Sequence, residues 1–151
     1  MKFRYQKYRT KLAPTLTGGF VVRPEISVKV SGPSGSIRAD ALADTGADMT
    51  LFPRAFAGRI GAKIDDSVRW AVGGLAGQAI EASPGEVELE ITDGISSDRW
   101  GATVAFVDDP DGAEALAILG HVGVFAHFRV TFDGPAQELE IQPGPASGGP
   151  A

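Results

Sequence analysis

The chain of 151 residues predicts a single mainly β domain with one or two short helices, and three observations carry that expectation. Twenty Gly and ten Pro punctuate it at short intervals, which favours many turns and short strands over long helices. Between these breaks the apolar residues mostly alternate, giving about eight strand-like segments. Hydrophobic residues at 43% and charged residues at 22% match a soluble globular domain with one core.

Residues 1–24 read as a basic N-terminal extension ending in Gly18-Gly19 and Arg23-Pro24. Glu25 to Val30 alternates, with Ile26, Val28 and Val30 on one face, and Gly32-Pro33-Ser34-Gly35 turns it into a second strand, Ile37–Leu42. That strand runs into Asp44-Thr45-Gly46-Ala47-Asp48. Pro53 suits the first residue of a helix, where its missing N–H is not needed. Phe52, Phe56 and Ile60 recur at four-residue spacing, and Gly61 stops the helix. Ser67–Val72 and Gln78–Ala82 then flank Gly73-Gly74-Leu75-Ala76-Gly77 as a glycine-tipped hairpin. Glu86–Thr92 alternates Val87, Leu89 and Ile91 with glutamates, and Trp100–Val107 is a further strand. An acidic loop, the apolar Ala115–Leu119, Gly120 and a short helix lead to a last hairpin, Phe128–Phe132 with Glu138–Ile141. Residues 143–151 form a Pro/Gly/Ser-rich tail expected to be flexible.

Composition excludes several function classes. With no Cys there is neither a disulfide frame nor thiolate chemistry, and two His argue against a His-based metal centre. Asp108, Asp109 and Asp111 lack the oxygen-ligand pattern of a cation loop and read as a solvated turn. No metal or other cofactor is expected. No apolar stretch has signal-peptide or membrane-spanning character, so the cytoplasm is the expected location and a membrane is not an expected partner. A net charge of −5 argues against nucleic-acid binding. The charge is uneven: Lys2, Arg4, Lys7, Arg9 and Lys11 fall in the first eleven residues, while the remainder holds nine basic and nineteen acidic residues. A solubilising arm or a charge-protected edge strand accounts for this, and an arm that binds an acidic partner is the alternative.

Asp-Thr-Gly by itself caps many strands. Here an apolar strand precedes it, a glycine-tipped hairpin follows, and Ile118-Leu119-Gly120 lies further on. In order and spacing, Leu42-Ala43-Asp44-Thr45-Gly46-Ala47-Asp48, Val72-Gly73-Gly74-Leu75, Ile118-Leu119-Gly120 and Phe125–Asp133 resemble the retropepsin-like aspartic proteases, and bacterial members most. The resemblance spans residues 25–142 and implies a single-domain acid-protease β-barrel with a flap hairpin.

It further implies a homodimeric endopeptidase acting on an extended peptide. Asp44 from each protomer would form a dyad sharing one proton, since two carboxylates at close range cannot both ionise. Thr45 would bond across the two-fold axis, and Gly46 would let the backbone pass close to substrate. Ala47 and Asp48 would face the substrate backbone. Leu42, Leu51, Leu75 and Ile118 would line side-chain pockets, although ordinary core packing explains each of these four singly. Val72, Gly73 and Gly74, with Gly77, would form the flap over the peptide. A phosphate loop is the rival for these glycines, but no Lys-Ser/Thr follows them.

One position departs from the family pattern. His121 stands where the family carries an Arg that pairs with the carboxylate at Asp48, so either a weaker, pH-dependent pair or a purely local hydrogen bond is expected there. Glu138–Ile141, with the N-terminal extension, is the segment available for a dimer contact. A catalytically inactive peptide-binding or dimerisation module of the same fold is the alternative function.

Overall fold

The computed structural model describes residues 1–11, 14–73, 79–108 and 117–144. In chain order the elements are β1 (Lys2–Arg4), β2 (Gln6–Arg9), α1 (Pro14–Thr17), β3 (Phe20–Arg23), β4 (Glu25–Gly32) and β5 (Gly35–Ala43). There follow β6 (Leu51–Pro53), α2 (Arg54–Ile60), β7 (Trp70–Gly73), β8 (Ala79–Thr92) and β9 (Ser97–Val107). The last are β10 (Ala117–Leu119), β11 (Phe128–Asp133) and β12 (Glu138–Pro143). The chain is mainly β with two short helices, as the sequence leads one to expect.

The main sheet runs β4-β5-β10-β6-β9-β8-β7, and β4 also pairs with β8. Six strands therefore close into a barrel, and β7 hangs on the outside of β8 as the second arm of the predicted hairpin. Closure removes the open edges that would invite mispairing. The inward residues are those the alternation picks out: Ile26, Val28 and Val30 from β4, Val87, Leu89 and Ile91 from β8, with Phe52, Val104 and Phe106.

α2 begins at Arg54, one residue after the expected start, with Pro53 as the extended residue before it. Gly61 ends it at φ 71°, a left-handed position open to glycine at little cost. Ile60 is fully buried, and its carbonyl accepts the Ser34 N–H at 2.8 Å, tying the helix to the β4–β5 turn.

Three further expectations need correction. Gln78–Ala82 and Glu86–Thr92 are not separate strands: β8 runs unbroken from Ala79 to Thr92 because Pro84 and Gly85 stay in register with Ala105 and Val104 of β9. The strand expected from Ser67 starts only at Trp70, since the Asp65 side chain accepts the Ser67 N–H and holds a turn there. After Gly120 there are turns rather than a helix. The Phe125 and Ala126 N–H groups bond five residues back, to Gly120 and His121, and Trp100 Nε1 takes the Gly123 carbonyl at 2.7 Å. Glu138–Ile141, the segment named for a dimer contact, lies inside a sheet of its own chain. Both of its edges are occupied within the chain, by β1 and by β11.

β2 and β3 form a separate two-stranded ribbon. Of the tail, residues 145–151 lie outside the described residues. Among the described residues no helix is long and apolar enough to cross a membrane.

Candidate active site

β5 delivers the chain to Asp44, and the loop that follows fixes the carboxylate. The Asp44 N–H donates to the Leu119 carbonyl at 3.0 Å, and its own carbonyl accepts the Ala47 N–H at 3.1 Å. Its Oδ1 accepts the Gly46 N–H at 2.8 Å. This is the local side-chain to backbone bond that short acidic residues favour in turns. Asp44 is half-buried and Oδ2 has no partner among the described residues, so one oxygen orients the group and the other remains available.

The second half of the site arrives about seventy residues later. β10 inserts between β5 and β6, parallel to the first and antiparallel to the second. Beyond it, the His121 N–H donates to the Ala47 carbonyl at 3.0 Å and the Val122 N–H to the Asp48 carbonyl at 2.8 Å. Thr50, fully buried, completes the lacing. Its N–H reaches the Val122 carbonyl at 2.9 Å, and its Oγ1 accepts the Gly120 N–H at 3.1 Å. Gly120 fits only because it lacks a side chain: a Cβ there would lie 2.4 Å from the Met49 carbonyl oxygen and 2.7 Å from that of Ala47.

Three of the proposed pocket residues come together. Ile118 stands in register with Leu42 on one side and Leu51 on the other. All three are half-buried, whereas their chain neighbours Ala41, Ala43, Ala117, Leu119 and Phe52 face the core. A row of apolar side chains thus lies on the outer face of the barrel, two residues from Asp44. Glu25, opposite Leu42, ends the row; it is 7% exposed and accepts a hydrogen bond from the Tyr8 hydroxyl.

The other proposed residues are placed less directly. Thr45, Gly46 and Asp48 are exposed on the loop, with Ala47 half-buried beside them. Val72 and Gly73 lie on β7, separated from β6 in sheet order by β9 and β8. Gly74, Leu75 and Gly77 lie outside the described residues, as do Asp109 and Asp111. His121 adopts the local alternative: its Nε2 donates to the Thr45 carbonyl at 3.1 Å, and the ring packs edge-on to Phe125. The Asp48 carboxylate has no partner among the described residues.

An ion-pair network braces the base of the β7–β8 hairpin. Arg54 reaches Asp66 at 2.7 Å and Asp108 at 2.6 Å, and Arg69 reaches Asp66 at 3.3 Å and Glu81 at 3.0 Å. The hydrogen bond from Arg54, then its charge and that of Arg69, hold the Asp66 carboxyl below its ordinary range despite some desolvation. Sequence reading missed Thr50, Arg54 and Asp66. A hydroxyl between Met49 and the apolar Leu51-Phe52 was the signal for Thr50; nothing local marked the other two.

No family model matches the chain, and no curated protein matches it. Among solved structures the chain is similar to the EIAV protease complexed with the inhibitor HBY-793, at 22% identity and a TM-score of 0.45. The match covers 66% of this chain and 82% of that one. At that overlap the likeness transfers no residue role to this chain.

Proposed function

We propose that the chain is one half of a homodimeric, cytoplasmic aspartic endopeptidase of the retropepsin-like kind. The observation that carries this proposal is the placement of Asp44: a carboxylate oriented through one oxygen, free at the other, beside an outward apolar row. No second carboxylate of the described residues bonds to it, and in the proposed dyad a second chain supplies it. An isologous two-fold contact would bring Asp44 to its symmetry mate.

In such a pair the ionised Asp44 takes a proton from a bound water as that water attacks the peptide carbonyl. The protonated mate donates to the carbonyl oxygen. Thr45 fixes the paired loops across the axis, and Gly46, Ala47 and Asp48 run along the substrate backbone. Leu42, Leu51 and Ile118, with Leu75, receive side chains flanking the cut. Val72, Gly73 and Gly74 belong to the flap that covers the peptide and excludes water.

The test is cleavage of a diverse peptide library from acidic to neutral pH, with Asp44→Asn run in parallel. Asn keeps an oxygen to accept the Gly46 N–H, so the variant is expected to fold normally and cleave nothing. Cleavage surviving in the variant would remove Asp44 from the chemistry. The inactive peptide-binding module has one observation in its favour: His121 turns to Thr45, and among the described residues no cation pairs with Asp48. It is supported if the wild-type protein binds library peptides and cuts none.

A further inference from the structure

We propose that the β2–β3 ribbon is an exosite for acidic polypeptide, recognising an acidic stretch that flanks the cleaved segment of a protein substrate; the second half of this statement rests on the peptidase assignment. Residues 1–24 hold six basic residues and no acidic one, against eight basic and nineteen acidic in the rest of the chain. The ribbon has two distinct faces. Gln6 pairs with Arg23 and Tyr8 with Val21 on one, and Lys7 pairs with Val22 and Arg9 with Phe20 on the other.

The first face anchors the ribbon. The Tyr8 hydroxyl donates to Glu25, and Arg23 lies 3.7 Å from the same carboxylate. Glu25 is in register with Leu42, so the anchor holds the ribbon at the end of the outward apolar row. A peptide leaving that row toward Glu25 meets the ribbon next.

The second face is left for a partner. Lys7, Arg9 and nearby Lys11 are exposed and have no carboxylate partner among the described residues. Among the described residues each strand has one sheet neighbour, leaving an edge to which an extended peptide can add. Phe20 lies under Lys7 Nζ at 4.3 Å and near the Arg9 guanidinium at 5.9 Å. The face therefore offers cations roofing a ring rather than a bare apolar wedge, which favours an acidic peptide over insertion into lipid. A net charge of −5 disfavours a long polyanion such as duplex DNA, while a short acidic segment meets the local positive charge first.

Two assays test this. In the first, labelled hexaglutamate is titrated into Asp44→Asn protein at low and high salt, with and without Lys7→Glu and Arg9→Glu added together. Salt-sensitive binding weakened about tenfold by the double charge reversal is expected. Absent binding, or binding indifferent to the reversal, overturns the exosite. So does binding to phosphatidylserine vesicles or duplex DNA without binding to hexaglutamate. In the second, a cleaved peptide is compared with the same peptide carrying a Glu-rich extension. The extension should lower KM about tenfold without changing kcat, and the difference between the two peptides should vanish on charge reversal. Equal KM values for both peptides overturn the substrate role. If neither peptide is cut at all, the peptidase assignment fails, and the hexaglutamate titration still decides whether the ribbon binds acidic peptide.

Discussion

Gly120 and Thr50 hold the carboxylate's surroundings together, the first through the close approach of its backbone and the second through its buried hydroxyl. A methyl at Gly120 would meet Met49 backbone atoms at 2.4 and 2.5 Å, which no side-chain rotation can relieve. Gly120→Ala is therefore expected to destabilise the fold by about 2 kcal/mol or more, read as a lower urea midpoint. Gly101→Ala, where an added Cβ meets nothing within 4 Å, is the control and should leave the midpoint nearly unchanged. Thr50→Val removes the acceptor of the buried Gly120 N–H while keeping the shape. The orphaned donor should cost about 1–3 kcal/mol, and Thr50→Ser should recover most of it. Loss in Thr50→Ser with Thr50→Val unaffected would mean that packing of the methyl, not the hydroxyl, is what matters at this position.

At the scale of elements, legibility followed the range of the interactions. The β4–β5 hairpin, α2 with its Gly61 stop and the alternating half of β8 were readable because period and punctuation are local. The continuity of β8 through Pro84-Gly85 was not, since pairing to β9 decides it. The turns after Gly120 were misread as helix because Asp48 and Trp100 draw off their backbone groups from elsewhere in the chain. Asp44 and the row of Leu42, Leu51 and Ile118 could be named from motif and spacing, but their alignment depends on β10 threading between β5 and β6. The Arg54–Asp66 brace was invisible for the same reason, and it predicts a pH dependence. The folded Asp66 carboxyl titrates below its ordinary 3.8, so its stabilising contribution is complete above that value and is lost as pH falls through the lower, folded pKa. Asp66→Asn should thus lower the melting temperature slightly at neutral pH, and the gap to wild type should close in strong acid. A gap constant from neutral pH to pH 2 would show that the charge of Asp66 contributes nothing.

At the scale of the whole molecule, each chain supplies one barrel and one Asp44. β12, which holds the segment named for a dimer contact, is flanked by β1 and β11 of its own chain. A dyad contact that added a strand to either edge of β12 would first have to displace β1 or β11. An assembly that leaves both in place is expected to be reversible, with specific activity rising with enzyme concentration before reaching a plateau. Subunit mixing tests the dyad more sharply. When wild type is mixed with an equal amount of Asp44→Asn above the dissociation constant, random pairing leaves only a quarter of the dimers with two aspartates. Activity per wild-type chain should therefore fall to about half after equilibration. It should stay unchanged if the chains are mixed just before assay, with no time to exchange. Activity that is strictly proportional to enzyme and blind to the mutant after long incubation would place all of the chemistry in one chain, and Asp44 would then need a partner from its own barrel.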